Sequence, residues 1–348
     1  MSISMKKILY VHPYNNYTGS TKVIADILKV KYKNLSDVTI ITETSQPGFL
    51  TGLGLNIINV PIIKHRDRAV PVISQIVWFI VGFFKVLFYC GRFDSVYINT
   101  ILPGFAAVAA RIRGKEVIYH IHEKWTKSNY KIKIEEFILN HTKAHHIFVS
   151  KYLQDQYPNI YSESDEILYN KLFPDYLSKV EIQPLEKHTR NRVIMLASLN
   201  KFKGVDMLLE VAKLLPDFHF TLIISSPQNV IDDYFMNRIP VNVEIYPRQS
   251  NIHTFLKDSD FIVNLSNPHF VVETFGLTII EGMAYGLPAI VPNVGGPTEI
   301  VESGKNGYIV DVTNANEIAK KLKKCSAPDV YKSLYVNTLK IIDKFKYA

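Results

Sequence analysis

Short apolar runs alternate with segments of helical periodicity through the first half of this chain, and this alternation limits the folds open to it. A strand, a helix and another strand in succession need a crossover connection, which joins parallel strands. The predicted helices are Thr21–Lys31 and Gly104–Arg113, and the predicted strands are Lys7–Val11, Asp37–Thr42, Ser95–Asn99, Glu116–His120 and His146–Val149. We therefore expect a parallel sheet wound by helices.

The same alternation begins again after residue 190. Between residues 171 and 190 the periodicity fades, and Pro174 and Pro184 occur, as expected of a connection between domains. The second series consists of strands Arg192–Ala197, His219–Ile224, Val243–Ile245, Phe261–Leu265 and Ala289–Pro292 and of helices Val205–Leu214, Thr278–Tyr285 and Glu317–Lys324. The tail from Val330 to Lys344 has helical spacing and should pack back on the body.

Length supports two domains, because 348 residues exceed the usual size of one α/β domain, about 100 to 200 residues. We predict an α/β protein with two Rossmann-like domains facing a central cleft. The predicted division is residues 1–170, a connection at 171–190, residues 191–325, and a C-terminal helix at 326–348.

The formal charge of +8 is concentrated in the first half, where residues 1–150 contain 19 lysines and arginines and 9 acidic residues. Such a half attracts anionic partners, whether phosphorylated substrates, nucleic acid or the anionic face of a bilayer, although a merely soluble basic surface also fits. Nucleic acid is the least expected partner, because the basic residues form no motif interleaved with aromatic residues. Cys90 and Cys325 indicate neither a disulfide framework nor a zinc site, and no secretory signal precedes Lys7, so we expect a cytoplasmic protein.

One apolar stretch raises the question of membrane contact. Residues Val70 to Phe84 carry no charge, but they are fewer than the roughly 20 needed to span a bilayer. A core helix and a helix lying at the membrane interface both remain open, and a spanning helix is the least expected of the three. Basic residues on either side would suit a monotopic contact with anionic lipid: Lys64, Arg66, Arg68, Lys85 and Arg92.

The segment from Glu273 to Glu281 combines a loop, a helix start and two acidic residues. Its loop ends in Phe275-Gly276-Leu277 and opens a helix at Thr278, so free backbone N–H groups and the positive end of the helix dipole coincide. A diphosphate suits that position. The two carboxylates are strong acceptors for sugar and ribose hydroxyls.

These two glutamates have seven residues between them and are followed by Gly-Leu-Pro-Ala-Ile and Val-Gly-Gly-Pro-Thr-Glu. The pattern resembles the donor-site signature of family 4 retaining glycosyltransferases, which have the GT-B fold. The resemblance covers nearly the whole chain and is strongest from Ala197 to Asp311. It implies that Glu273 contacts the donor hexose, that Glu281 contacts the ribose, and that the phosphates meet the backbone of Phe275, Gly276, Leu277 and Thr278. The alternative is two solvated glutamates near a helix start.

A second match is Ala197-Ser-Leu-Asn-Lys-Phe-Lys-Gly204, where the family usually has Gly-Arg, four residues and Lys-Gly. Lys203 then becomes the cation that faces the departing diphosphate. Ser198 stands where the family has arginine. Lys203, Lys201 or Arg248 would then stabilise the departing diphosphate in place of the arginine, or the enzyme would be less active. Lys203 as an ordinary surface charge is the alternative.

In the first half, Tyr119-His-Ile-His-Glu123 ends a predicted strand, where α/β sheets present functional groups. By the resemblance His122 would lie near the acceptor and the donor sugar, with Glu123 beside it. Zinc lacks third and fourth ligands here, and a core or solvated histidine pair is the alternative. The turn Thr18-Gly19-Ser20 resembles the family's Gly-Gly loop and would contact the acceptor or a phosphate.

Asp258-Ser-Asp260 mimics the D-x-D metal motif of another glycosyltransferase fold, but it ends a predicted helix and enters a strand, so we predict a structural role. No metal or cofactor is expected beyond the nucleotide diphosphate sugar, which is a co-substrate.

The resemblance implies a retaining transfer in which the leaving phosphate accepts the proton of the attacking hydroxyl. The first domain would bind the acceptor, which we expect to be a saccharide or lipid-linked saccharide of a bacterial surface polymer, and the second would bind the donor. A nucleotide-sugar epimerase, a phosphorylase and an inactive nucleotide-sugar-binding protein remain alternatives.

Overall fold

The chain separates by its internal contacts into two compact units, unit 1 (Met1–Leu168) and unit 2 (Tyr169–Ala348). The computed structural model describes residues 6–61, 72–124, 130–236 and 238–347. Each unit contains its own parallel sheet with helices packed on it. The predicted α/β class with two Rossmann-like domains is confirmed.

Unit 1 is built on a seven-stranded sheet in the order β3-β2-β1-β4-β5-β6-β7. Its central strands are buried throughout, as parallel strands covered on both faces must be. The strands are β1 (Ile8–Tyr14), β2 (Thr39–Glu43), β3 (Asn56–Asn59), β4 (Ser95–Asn99), β5 (Glu116–Ile121), β6 (Ala144–Phe148) and β7 (Ser162–Ile167). The helices are α1 (Gly19–Lys31), α2 (Val72–Tyr89), α3 (Gly104–Ile112), α4 (Tyr130–His141) and α5 (Lys151–Asp155).

The order of the strands decides which face each helix covers. The connections β3 to β4, β4 to β5 and β5 to β6 all cross the sheet in one direction, so right-handed crossovers place α2, α3 and α4 on one face. The connection β1 to β2 runs the other way and places α1 on the opposite face.

Unit 2 contains a six-stranded parallel sheet in the order β10-β9-β8-β11-β12-β13. The strands are β8 (Arg192–Ala197), β9 (His219–Ile224), β10 (Val243–Pro247), β11 (Phe261–Val263), β12 (Ala289–Pro292) and β13 (Gly307–Val310). The helices are α6 (Pro174–Leu177), α7 (Val205–Leu214), α8 (Gln228–Phe235), α9 (His253–Lys257), α10 (Leu277–Met283), α11 (Pro297–Ile300), α12 (Ala315–Cys325) and α13 (Pro328–Ile341).

The C-terminal helix α13 packs back on unit 2, as predicted. Tyr331 and Leu334 are buried in the core of the unit. The Tyr335 hydroxyl donates to the carbonyl oxygen of Gln183 at 2.8 Å, which ties the helix to the segment preceding β8.

Several elements were not predicted, among them β3, β7, β13, α4 and α8. Strand β7 has the sequence Ser-Glu-Ser-Asp-Glu-Ile and is largely exposed, because it lies at the edge of the sheet. Its charged side chains oppose pairing of this open edge with a strand of another molecule. Helix α2 begins at Val72, so the predicted apolar stretch lies mostly within it. Val70 and the basic residues Lys64, Arg66 and Arg68 lie outside the described residues.

Candidate functional site

Polar side chains gather at the carboxyl-end edge of the sheet in unit 2. Lys203 lies in the turn that follows β8, Asn264 and Ser266 follow β11, and Glu273 lies in the loop before α10. The loops at this edge of an open parallel sheet are where α/β proteins bind ligands.

Glu273 is the centre of this group. Its Oε2 atom accepts hydrogen bonds from Lys203 Nζ at 2.8 Å, from Ser266 Oγ at 3.3 Å and from Asn264 Nδ2 at 3.4 Å. Burial acts to raise the pKa of Glu273, but the positive charge of Lys203 and these hydrogen bonds outweigh it, so the pKa lies below its ordinary value. The Lys203 and Glu273 side chains remain 26% and 17% exposed, so a ligand can reach the ion pair.

The glycine pair after β12 explains how the Glu273 loop is held. The N–H of Gly296 donates to the carbonyl oxygen of Glu273 at 2.9 Å. A Cβ atom on Gly296 would lie 2.1 Å from the carbonyl oxygen of Thr274, far inside van der Waals contact. The motif Val-Gly-Gly-Pro-Thr-Glu therefore lets two backbone segments cross at close range beneath the site.

The predicted phosphate segment leads from this loop into α10. Phe275 is buried, with its ring near those of Tyr169 and Phe345, and Gly276 is the N-cap residue of α10. Leu277 and Thr278 are partly exposed at the first positions of the helix. Glu281 lies about one turn further along α10 and is only 4% exposed, so neither motif glutamate is a solvated surface residue.

The residues proposed to replace the missing arginine lie at the same edge of the sheet. Ser198 follows β8, and its hydroxyl accepts a hydrogen bond from the Asn200 side chain at 3.0 Å. Arg248 follows β10 and is exposed, and Lys201 is exposed in the turn before Lys203. Of these cations, Lys203 is the one that the structure pairs with Glu273.

The carboxyl-end edge of the sheet in unit 1 holds His122. Its Nε2 atom lies 2.9 Å from Asn99 Oδ1. The amide nitrogen of Asn99 donates to the carbonyl oxygen of Ser20 at 3.1 Å and to His12 Nδ1 at 3.0 Å. Because the Ser20 carbonyl can only accept, the amide orientation is fixed, and His122 must carry its proton on Nε2.

The network continues from His12 into the predicted acceptor loop. His12 Nε2 lies 2.9 Å from Thr21 Oγ1, and Thr21 Oγ1 donates to Asn16 Oδ1 at 2.7 Å. The same Asn16 oxygen accepts from the backbone N–H of Thr18 at 3.1 Å. The structure therefore connects His122 with Thr18 and Ser20, while Gly19 opens α1 between them.

The titratable groups of this cluster favour their neutral forms. Burial lowers the pKa of His12 to about 4 and that of His120 to about 3, and it lowers the pKa of His122 well below its ordinary value. Burial raises the pKa of Glu123 to about 7. His120 is a core residue, 1% exposed, with Nδ1 2.8 Å from the Tyr97 hydroxyl, so of the histidine pair only the partly exposed His122 faces the edge.

Asp258 and Asp260 lie away from these groups, at the amino-end edge of the sheet in unit 2. Asp260 is fully buried and accepts hydrogen bonds from His188, Thr189 and the backbone of Asn191 and Arg192. Asp258 accepts from the Gln183 side chain at 3.0 Å. This supports the predicted structural role. In the described ranges no cluster of three His, Cys, Asp or Glu side chains could hold a metal ion.

Sequence reasoning missed Asn99, His12, Asn264 and Ser266. No motif marks them, and His12 and Asn99 are 87 residues apart in sequence. The signal that was present is positional, because three of them end or follow buried parallel strands at the carboxyl edge.

The sequence is similar to those of known glycosyltransferases. Residues 179–329 match the family model described as glycosyl transferases group 1. An uncharacterized glycosyltransferase of Methanocaldococcus jannaschii is 27% identical over 205 residues, which are 58% of this chain and 55% of that protein. An uncharacterized 41.2 kDa protein in the cps region of Klebsiella pneumoniae is 26% identical over 262 residues, 68% of this chain and 70% of that one.

A solved structure supports the fold of the whole chain. The Anabaena protein Alr3699/HepE, crystallised in complex with UDP and glucose, superposes with a TM-score of 0.78 at 19% identity and covers 98% of this chain and 95% of its own. The chain spans only about half the length of the Methanocaldococcus relative. Residues 179–329 of this chain therefore match the glycosyl transferases group 1 family, and the chain as a whole has the GT-B fold of glycosyltransferases.

Proposed function

We propose that the protein transfers a sugar from a nucleotide diphosphate sugar to an acceptor hydroxyl and retains the anomeric configuration, as in family 4. The observation that carries this proposal is the ion pair between Lys203 Nζ and Glu273 Oε2, 2.8 Å apart and open to a ligand at the carboxyl edge of unit 2. The family match over residues 179–329 supports the donor class.

The proposed reaction breaks the bond between the anomeric carbon and the diphosphate oxygen. Negative charge develops on the leaving diphosphate, and the Lys203 ammonium stabilises it. The Glu273 carboxylate accepts hydrogen bonds from hydroxyls of the donor sugar and positions it without attacking it. The acceptor hydroxyl attacks from the same face, and its proton passes to an oxygen of the leaving phosphate, so no side-chain base is required.

Other residues of unit 2 would bind the phosphates and the ribose of the donor. Backbone N–H groups of Phe275, Gly276, Leu277 and Thr278 would bind the phosphates, and Glu281 would bind the ribose. Arg248 and Ser198 would complete the donor site. Because Lys203 neutralises the leaving group, the proposed reaction is independent of a metal ion.

We assign the acceptor to unit 1. The neutral groups around His122 and the hydroxyls of Thr18 and Ser20 provide hydrogen-bond donors and acceptors without charge, which suits the hydroxyls of a saccharide. We propose a saccharide on a lipid carrier, used in bacterial surface polysaccharide synthesis at the cytoplasmic side of the membrane. The Anabaena complex with UDP and glucose supports a saccharide substrate, and the relative from a cps region supports a role in polysaccharide synthesis.

Substitution of the ion pair tests the proposal. Lys203→Ala and Glu273→Ala should each lower turnover of the correct nucleotide sugar by roughly a hundredfold or more, because each removes a preorganised group at the reacting centre. A matched control is Lys213→Ala, which breaks an equally short pair with Glu210 on α7, 2.8 Å long and exposed. The control should keep full turnover.

Product analysis separates the alternative activities. We expect the same anomeric configuration in donor and product by NMR and no conversion of the donor sugar when the acceptor is absent. An epimerised sugar formed without acceptor, or full turnover in a folded Lys203→Ala variant, would contradict the proposal.

A further inference from the structure

Helix α2 carries two stripes of side chains on opposite faces. Ser74, Trp78, Gly82 and Val86 recur every four residues and are buried. The second stripe, offset by two residues, is exposed to solvent: Ile76 by 53%, Ile80 by 49%, Phe84 by 60% and Phe88 by 69%. An offset of two residues turns about 200° around a helix, so this stripe faces away from the sheet.

The outer stripe is more apolar than the inner one, which inverts the usual order for a helix on a water-exposed surface. The inner stripe contains a serine and a glycine, and the glycine has a packing reason. A Cβ atom on Gly82 would lie 2.4 Å from Cζ of Phe105, so α2 packs closely on α3. Packing therefore explains the inner stripe and leaves the outer one unexplained.

By length and composition alone, the segment Ser74–Arg92 could also cross a membrane, and it is the one such segment among the described residues. Its inner stripe argues against crossing, because Trp78 and Val86 are buried in the fold of unit 1 at 2% and 0% exposure. A helix that spans a bilayer would have to withdraw these side chains from the core.

Helix α4 extends the apolar surface. Tyr130, Ile134 and Phe137 are 56%, 51% and 62% exposed, whereas Ile132 and Leu139 are buried. Helices α2 and α4 lie on the same face of the sheet, and Lys131 Nζ is 5.4 Å from the centroid of the Trp78 ring, which brings the start of α4 beside α2. Large apolar residues grouped in this way on a protein surface mark an interaction site.

The charges around these residues specify the partner. Neither α2 nor α3 contains an acidic residue. On α4, Glu135 is buried and Glu136 is paired with Lys124 at 2.7 Å. Basic side chains lie on the three helices, or directly after α3 in the case of Arg113: Lys85, Arg111, Arg113, Lys131 and Lys133. An apolar stripe among cations matches a bilayer with anionic head groups, where each lysine near the surface adds to the attraction.

We propose that the outer faces of α2 and α4 form a docking surface for an anionic lipid bilayer. Helix α2 lies parallel to the membrane plane. Its side chains Ile76, Ile80, Phe84 and Phe88 enter the boundary between the lipid head groups and the acyl chains. The stripe is about 18 Å long at 1.5 Å per residue. This inference deepens the proposed function and rests on it for the lipid-linked acceptor. The docking itself is measurable without turnover.

Vesicle co-sedimentation tests the docking surface. Full-length protein should bind vesicles of phosphatidylcholine with phosphatidylglycerol, and it should bind pure phosphatidylcholine vesicles less well. Phe84→Ser with Phe88→Ser should weaken binding to the anionic vesicles by roughly tenfold or more, because two large side chains no longer enter the acyl boundary. Lys133→Glu should weaken it by roughly fivefold, with a smaller dependence on salt.

The matched control places the same kind of change on unit 2. Leu214→Ser with Val241→Ser removes two exposed apolar side chains, 41% and 108% exposed, and should leave vesicle binding unchanged. Both double variants should keep the wild-type rate of donor turnover measured without lipid. Wild-type protein that binds the vesicles but turns over no donor would count against the proposed function, not against the docking.

Three outcomes would overturn the inference. The first is wild-type protein that does not bind anionic vesicles, and the second is a Phe84→Ser, Phe88→Ser variant that binds them as well as wild type. The third is that, in sedimentation without lipid, the wild-type protein is a dimer and the Phe84→Ser, Phe88→Ser variant is a monomer. That result would assign the surface to a second copy of this chain.

Discussion

Both units bring polar side chains to the carboxyl-end edge of their parallel sheets. The two sites differ in whether the surroundings favour the charged or the neutral form of their titratable groups. In unit 2 the pKa of Glu273 lies below its ordinary value, because Lys203 and two hydrogen-bond donors outweigh its burial. In unit 1 burial raises the pKa of Glu135 to about 8 and lowers that of His12 to about 4. In unit 2 the surroundings of Glu273 favour its ionised form, whereas in unit 1 burial favours the neutral forms of Glu135 and His12.

This difference matches the two substrates of the proposed reaction. A nucleotide diphosphate sugar carries negative charge that grows during the reaction, so fixed cations and carboxylates are useful where it binds. A saccharide acceptor carries hydroxyl groups, which need donors and acceptors in fixed positions but no charge. The comparison predicts that substitutions in unit 2 act through rigidity and charge, and those in unit 1 through hydrogen-bond direction.

The largest expected effect comes from the loop that holds Glu273. Gly296→Ala should lower the free energy of unfolding of unit 2 by roughly 3 kcal/mol, because the new Cβ would overlap the carbonyl oxygen of Thr274 at 2.1 Å. It should also lower turnover by displacing Glu273. Far-UV circular dichroism during urea unfolding measures the stability, and the donor assay measures turnover.

Gly19→Ala is the counterpart in unit 1, at the start of α1. A Cβ atom there meets nothing within 4 Å, so its effect on the free energy of unfolding should stay within about 0.5 kcal/mol. Equal effects of the two substitutions would break the contrast between a tightly crossed donor loop and an open acceptor loop.

A smaller effect is expected from Asn99, a positioning residue for His122. Asn99→Leu should lower turnover by roughly tenfold with little change in KM for the donor, because His122 loses the acceptor that fixes its proton on Nε2. Asn99→Asp should raise the pKa of His122, because a carboxylate beside Nε2–H favours the charged ring. NMR titration of the histidine ring protons and the pH dependence of turnover measure these changes.

Asn56→Ala is a matched control within unit 1. The Asn56 side chain donates to Thr39 Oγ1 at 3.1 Å on the outer strands of the sheet, and its loss should move neither the titration nor turnover. A His122 titration that is identical in wild type and Asn99→Asp would remove Asn99 from this role.

The same contrast shows what the sequence could predict. Strands β8 and β9 and helix α7 have the predicted bounds, because their apolar residues follow one period without interruption. Lys203 and Glu273 belong to a motif, so they were found, although nothing in the sequence shows that they pair across 70 residues. Asn99 and His12 have no motif, and only the neighbouring positions of β1 and β4 in the sheet bring them together.

The last expected effect concerns how the stability of each unit depends on pH. The sign of this dependence should differ between the two units, and Glu135 is the residue that tests it. This carboxyl accepts from the N–H of Gly104 at 2.9 Å, and burial raises its pKa from 4.5 to about 8. Between those values folded unit 1 holds a proton that the unfolded chain has released, so stability falls as pH rises. For Glu273 in unit 2 the lowered pKa gives the opposite slope, with stability lost as pH falls.

Glu135→Gln should remove the slope in unit 1, because a glutamine oxygen still accepts from Gly104 and has no proton to release. At pH 8 the variant should be more stable than wild type by at least about 1 kcal/mol, and below pH 5 the difference should vanish. Tryptophan fluorescence in urea isolates unit 1, since both tryptophans of the chain, Trp78 and Trp125, belong to it. A wild-type stability that is constant from pH 5 to pH 8 would mean that Glu135 is already ionised in the fold, and the contrast with unit 2 would then fail at this buried carboxyl.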